Sequence, residues 1–230
     1  MTYVVSNLHG CLDKFKDLLL KINFTDNDLM YVLGDTLDYG DEPIELICDL
    51  SMRYNVIHIL GECELQAYRL LSALDRMLTD GEPPEPEILS EMAVWMQNGG
   101  QKTLEGFKTL DADMREGVLE YLSDMTLYEE AAVKGKEYLL VHAGIADFDK
   151  DTPLDDYMPE DFVTEPLNPN VCYFDGVTVI AGHTPTYEVE GGENGKIYHG
   201  EYGILVDCGA AFGEPLGCLR LEDGKEFYVL

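Results

Sequence analysis

Residues 29–40 read Leu-Met-Tyr-Val-Leu-Gly-Asp-Thr-Leu-Asp-Tyr-Gly. Leu29 to Leu33 is an unbroken apolar run of strand length, stopped by Gly34-Asp35 and again by Tyr39-Gly40. Ile44, Leu46, Ile47 and Leu50 then follow at the spacing of an amphipathic helix. The same unit lies on either side. Tyr3 to Val5 ends at Ser6-Asn7-Leu8-His9-Gly10, before Leu12, Phe15, Leu18, Leu19 and Ile22 at helical spacing. Val56 to Leu60 stops at Gly61-Glu62-Cys63-Glu64, before a helix over Leu65–Leu78. Strand, polar break and helix, three times over, predict an α/β fold with a largely parallel sheet covered by helices, and ligands collect at the carboxyl ends of such strands.

The rest of the chain changes character. Gly81-Glu82-Pro83-Pro84-Glu85-Pro86 is a turn-rich break, and Ile88 to Leu127 is helical in pattern, so residues 81–128 read as a helical insertion or cap within one domain spanning 1–230. Glu137–Val141, Thr178–Ile180, Gly203–Val206, Cys218–Leu221 and Phe227–Leu230 read as strands. The acidic, proline-containing stretch from Asp147 to Asn170 reads as a long loop of the kind that serves function.

With 230 residues, 46% of them hydrophobic, the chain can bury one sizeable core. Its 45 acidic against 15 basic residues give a formal charge of -30, a field that repels nucleic acid and anionic membranes. The first residues lack the basic and apolar pattern of a leader and no apolar run reaches membrane-spanning length, so a cytoplasmic protein with neither nucleic acid nor membrane as partner is expected. The six cysteines form no Cys-x-x-Cys pair, which argues against a disulfide framework or a zinc ribbon.

The strand ends carry the chemistry. Asn7 and His9, Asp35 and Asp38, Glu62, His142 and His183 each follow an apolar run in a short polar or glycine-bearing break. Singly, each is as well read as a satisfied structural residue. Together they are a mixed set of imidazoles and carboxylates of the kind that manganese, iron or zinc accepts. His58 and His199 stand outside that set, Trp95 reads as packing in the helical region, and Gly99-Gly100 as a turn.

Gly-Asp-x-x-Asp at 34–38, Val-His-Ala-Gly at 141–144 and Gly-His-Thr-Pro at 182–185 resemble, in order, the motif blocks of calcineurin-like metallophosphoesterases. Trp95–Leu104 (WMQNGGQKTL) and Asp207-Cys-Gly-Ala resemble more narrowly the bacterial serine/threonine phosphatases and diadenosine tetraphosphatases. The resemblance implies an α/β/β/α sandwich holding two metals that activate water against phosphorus. It also implies metal ligands at Asn7, His9, Asp35, Glu62, His142 and His183, with Asp35 bridging; catalytic positions at Asp38 and Cys63; and phosphate-binding positions at Tyr39 and Glu165. The substrate class it implies is a phosphorylated protein or a small phosphate ester.

Several of those positions depart from the family pattern. Asn7 stands for an aspartate, Glu62 for an asparagine, Cys63 for the histidine that assists the leaving group, and Tyr39 for an arginine; Glu165 occupies the neighbourhood of a second arginine. Asn7 would supply a neutral carbonyl oxygen where a carboxylate is usual, which favours one divalent metal (Mn, Fe or Zn) over two. The combined losses predict a weak or inactive phosphatase, the alternative being an active hydrolase with a modified centre.

Overall fold

A computed structural model describes all of residues 1–230. Two five-stranded sheets pack face to face. The first has the order β10-β9-β1-β2-β3, from β1 (Thr2–Val5), β2 (Leu29–Leu33), β3 (Val56–Ile59), β9 (Leu216–Arg220) and β10 (Lys225–Val229). The second has the order β4-β5-β6-β8-β7, from β4 (Tyr128–Val133), β5 (Lys136–Val141), β6 (Val177–Ala181), β7 (Tyr198–His199) and β8 (Gly203–Leu205). Both sheets are mixed. β1, β2 and β3 run parallel, as do β5, β6 and β8, while β9, β10, β4 and β7 pair antiparallel. The parallel strands expected from the repeated strand-helix unit are three of the five strands of the first sheet.

Alternation along the strands builds the layers. Val4, Tyr31, Leu33 and Ile59 face inward and meet Tyr138, Leu140 and Ile180 of the second sheet. Their neighbours Tyr3, Val5, Met30 and Val32 face outward onto Phe15 and Leu18 of α1 (Leu12–Ile22) and Leu46 and Leu50 of α2 (Pro43–Ser51). A period of two thus places one residue of each strand in the inter-sheet core and the next under a helix.

α3 (Glu62–Asp80) leads into the predicted helical insertion, which consists of α4 (Pro86–Trp95), a π-turn over Met96–Gly100, α5 (Gln101–Thr109) and α6 (Ala112–Ser123). These helices share a core around Trp95, Phe107 and Leu70 with Leu37 of the loop after β2 and Ile44 and Ile47 of α2. The outer face of the second sheet is covered by the Asp147–Asn170 stretch, whose two short 3-10 turns (Leu154–Asp156 and Pro159–Phe162) deliver Phe162, Val163 and Leu167 against Leu139, Val141 and Val179. The four layers form an α/β/β/α sandwich in which that long loop is an ordered apolar cover.

Candidate metal centre

At the carboxyl ends of the parallel strands, loops from both sheets converge on a cleft of about 910 Å³. The loops after β1 and β2 are joined by main-chain bonds: Asn7 N–H to Gly34 O (3.1 Å), His9 N–H to Asp35 O (2.9 Å) and Gly10 N–H to Thr36 O (2.7 Å). Gly182 N–H donates to His142 O (2.8 Å) and joins the loops after β5 and β6 in the same way. Of the nine non-glycine residues with positive φ, six are Asn7, His9, Asp35, Asp38, Tyr39 and His183. Left-handed backbone, which L-residues adopt at a cost, is concentrated where these side chains must turn toward one point.

Asp35, His142 and His183 form one candidate ligand set, their ligand atoms all within 4.8 Å of one another. His142 Nδ1 lies 2.8 Å from Leu33 O, and because a carbonyl only accepts, that nitrogen carries a hydrogen, so in the neutral ring Nε2 presents a lone pair. The lone pair faces His183 Nδ1 at 3.2 Å and Asp35 Oδ1 at 3.5 Å. Acceptors converging on one point, with the imidazole oriented by a main-chain carbonyl behind it, are what a divalent cation requires. The residues present fit one. Glu62 Oε2 stands 4.0 Å from His183 Nδ1 at the rim.

The electrostatics follow from burial. Burial works to raise the Asp35 carboxyl, but the positive charge that His142 and His9 carry when protonated and the Cys63 N–H, 2.9 Å from Oδ1, hold it below the ordinary carboxylate value. Partial burial and the neighbouring Asp35 charge raise Glu62. Burial, with His142 alongside, makes His183 harder to protonate. The Cys63 thiol is pushed well up by burial and by Asp35 and Asp38, so it stands as a neutral S–H.

His9 and Asn7 occupy the far side of Asp35. His9 Nδ1 is 2.9 Å from Leu37 O, which leaves its Nε2 as an acceptor 3.9 Å from Asp35 Oδ2. Asn7 presents its NH2 group to this space, Nδ2 lying 3.3 Å from Asp35 Oδ2 and 3.4 Å from His9 Nε2. Its carbonyl oxygen, expected from the sequence to be the group on offer, accepts instead from His183 N–H at 2.9 Å and Ser6 O–H at 2.5 Å.

Asp38 lies at the edge of the cleft with both oxygens engaged, Oδ1 by the Thr103 hydroxyl (2.6 Å) and Oδ2 by the Trp95 indole N–H (2.7 Å). Burial raises its carboxyl and these two bonds oppose the rise. It is an anchor between the β2 loop and the helical insertion, and the indole does more than pack. Tyr39, 48% exposed, stands edge-on to His9 (centroids 4.9 Å) and to Phe212 (5.3 Å). Glu165 is not among the lining residues; its side chain is exposed and its main-chain carbonyl accepts from Gly144 N–H. No lysine or arginine lines the cleft.

Two residues outside the predicted set shape it. Glu64 is wholly buried and accepts four main-chain N–H groups, those of Asp35 (2.7 Å) and Gly61 (3.1 Å) on Oε2 and those of Thr36 (2.8 Å) and Leu37 (3.0 Å) on Oε1. Its place two residues after Glu62, at the start of a helix, was the available signal. Asp207, after β8, is buried in the lining with its carboxyl pushed up to about 6 by burial, against the Gly209 N–H that donates to it.

Comparisons with known proteins bear on the family and the fold. The symmetrical bis(5'-nucleosyl)-tetraphosphatase of Wigglesworthia glossinidia brevipalpis is 26% identical over 77 residues, 33% of this chain, and the chain spans only 28% of that relative's length. The asymmetrical bis(5'-nucleosyl)-tetraphosphatase PrpE of Bacillus subtilis is 25% identical over 248 residues, covering 96% of this chain and 90% of that one. The crystal structure of a candidate diadenosine tetraphosphatase shares the fold, with a TM-score of 0.66 at 17% identity over 99% of this chain and 92% of the other. The sequence profile of the calcineurin-like phosphoesterases matches residues 2–214, which takes in every strand end described above except those of the last hairpin, and the chain belongs to that family.

Proposed function

We infer that this chain binds one divalent cation through Asp35, His142 and His183, with Glu62 at the rim, and handles phosphate esters in the adjoining cleft with weak turnover. The observation that carries the reading is the convergence of Asp35 Oδ1, His142 Nε2 and His183 Nδ1 on one point. A cation held there supplies a Lewis acid for a phosphoryl oxygen and lowers the pKa of a bound water. Manganese, iron and zinc all suit a mixed nitrogen and oxygen donor set.

Weak turnover follows from what the side chains around that point lack. No guanidinium or ammonium lines the cleft, so no bidentate clamp holds phosphate oxygens. Cys63, as a neutral thiol with a raised pKa, is a poor donor to a leaving group near pH 7. Asp38 has each oxygen holding a hydrogen bond, to Thr103 and Trp95, which anchors it toward the helices rather than toward a leaving group. A missing clamp or donor costs on the order of a hundredfold or more, and groups that act as a unit are not restored one at a time. Relatives named as acting on bis(5'-nucleosyl) tetraphosphates favour a small phosphate ester as substrate, with a phosphorylated protein second.

The test is turnover of p-nitrophenyl phosphate and of a phosphopeptide with added manganese. Low activity is expected in the natural sequence and none in Asp35→Ala. A combined Asn7→Asp, Tyr39→Arg, Glu62→Asn and Cys63→His variant is expected to exceed any single reversion by far. Equal turnover by the natural sequence and the four-site variant would show that the native residues form a competent centre of their own.

A further inference from the structure

Asn7 lies between His9 and Asp35 with both ends of its carboxamide engaged, and all three residues are buried. The orientation is determined by chemistry. The main-chain N–H of His183 can only donate, so the end 2.9 Å from it is the carbonyl oxygen, and the other end is the NH2. That NH2 faces two acceptors, His9 Nε2 at 3.4 Å and Asp35 Oδ2 at 3.3 Å. The Nδ1 hydrogen of His9 is spent on Leu37 O, so in the neutral imidazole Nε2 presents a lone pair.

The arrangement is held from behind. A Cβ at Gly182 would come within 1.8 Å of Ser6 Oγ and 2.5 Å of Asn7 Oδ1, so the loop after β6 approaches closely because position 182 has no side chain. With the His183 N–H donating to Oδ1, turning the amide over would set an NH2 against that donor and leave the buried acceptors of His9 and Asp35 unmatched, whereas the Ser6 hydroxyl, which also reaches Leu33 O at 3.1 Å, can donate or accept.

We propose that the Asn7 carboxamide takes the place of a first cation between His9 and Asp35, so that the centre is mononuclear by construction. Its hydrogens satisfy the two acceptors that such a cation would need, and it adds no negative charge to attract one. The inference rests on the metal reading of Asp35, His142 and His183 given above and concerns the opposite side of Asp35. Cys63 Sγ completes a second group with His9 and Asp35, its ligand atoms within 4.8 Å of theirs, so a thiophilic cation is the natural competitor for this space.

Metal-free protein is titrated separately with Mn2+ and Zn2+ by calorimetry at physiological ionic strength, and retained metal is counted by elemental analysis after desalting. The natural sequence is expected to hold one equivalent of either ion. Asn7→Asp is expected to hold two, falling back to one when His9→Ala is added. Asn7→Ala removes the hydrogens without supplying a carboxylate and is expected to admit a second Mn2+ roughly tenfold or more weakly than Asn7→Asp; it serves should Asn7→Asp fail to fold. Two equivalents in the natural sequence, with either ion, overturn the proposal. So does a single equivalent in folded Asn7→Asp, or in Asn7→Ala at millimolar Mn2+. No bound metal in the natural sequence would instead sink the preceding metal reading, and this one with it.

Discussion

His58 sits one layer behind the cleft, wholly enclosed, with Nε2 2.7 Å from the Thr36 hydroxyl and Nδ1 3.4 Å from Tyr121 OH. Burial, with His142 nearby, lowers its pKa to about 3. The unfolded chain takes up a proton near pH 6.5 while the folded chain does not. The stability from keeping His58 neutral is therefore complete above pH 6.5 and is lost as pH falls from there toward 3. His58→Gln keeps a polar partner for Thr36 and removes the titration. The unfolding free energy of the variant, from urea melts of metal-free protein, is expected to fall less between pH 7 and pH 4 than that of the natural sequence, by roughly 3 kcal/mol at most. Parallel pH profiles would refute a buried neutral imidazole at 58. The carboxylate of Glu64 acts at the same scale, since four main-chain N–H groups on two oxygens hold the backbone of Asp35 whatever occupies its side chain.

Among the elements, the π-turn over Met96–Gly100 does the most for the site. It ends α4 so that Trp95 points at Asp38 and lets Gly99 O accept the Tyr39 N–H at 3.0 Å, tying the loop after β2 to the insertion at two points. Gly99 has φ +108, and a Cβ there would sit 2.8 Å from the Tyr39 ring. Gly99→Ala is expected to cost about 1–3 kcal/mol in a denaturant melt, from backbone strain and the ring contact together. An unchanged midpoint would mean that the turn is not under the constraint described. Much of this level was legible in advance. Leu29–Leu33 is β2 with the same ends, and the helical middle and five of the later strands were readable from period and turn residues. β4 was not: its Tyr128-Glu-Glu-Ala-Ala-Val133 pattern alternates poorly, and the overlooked signal was the two-residue Lys134-Gly135 turn, both at positive φ, that pairs it with β5. The double tether of Asp38 was illegible because its partners lie 57 and 65 positions away, and nothing at short range in a sequence marks such a bond. The ligand-bearing strand ends were readable because each is a local break. The orientation of the Asn7 amide was not, since His183 lies 176 positions away.

For the whole molecule, a net charge of -30 means that folding gathers most of 45 carboxyl groups onto one surface with few cations among them, only a few such as Asp35, Asp38, Glu64 and Asp207 being buried. Several of the arginines are already paired, Arg53 with Asp49, Arg115 with Asp75 and Arg220 with Asp223. Self-repulsion is thus a general load on the compact state, and added salt screens it. The melting temperature of metal-free protein is expected to rise by several degrees between about 0.02 M and 0.5 M sodium chloride at pH 7.5. A flat or falling trend, followed by circular dichroism, would show that the charge is compensated locally.

The position of β1 in the middle of the first sheet bears on how the chain comes off the ribosome. One edge of β1 meets β2 early, but on the other Val4 pairs with Leu219, about 215 residues later. At a synthesis rate of roughly 5–20 residues per second, that edge waits on the order of 10–40 s for its partner. For that interval the nascent chain carries an unpaired row of amides and carbonyls next to the loop that bears Asn7 and His9, a template for mispairing that a holding chaperone would need to shield.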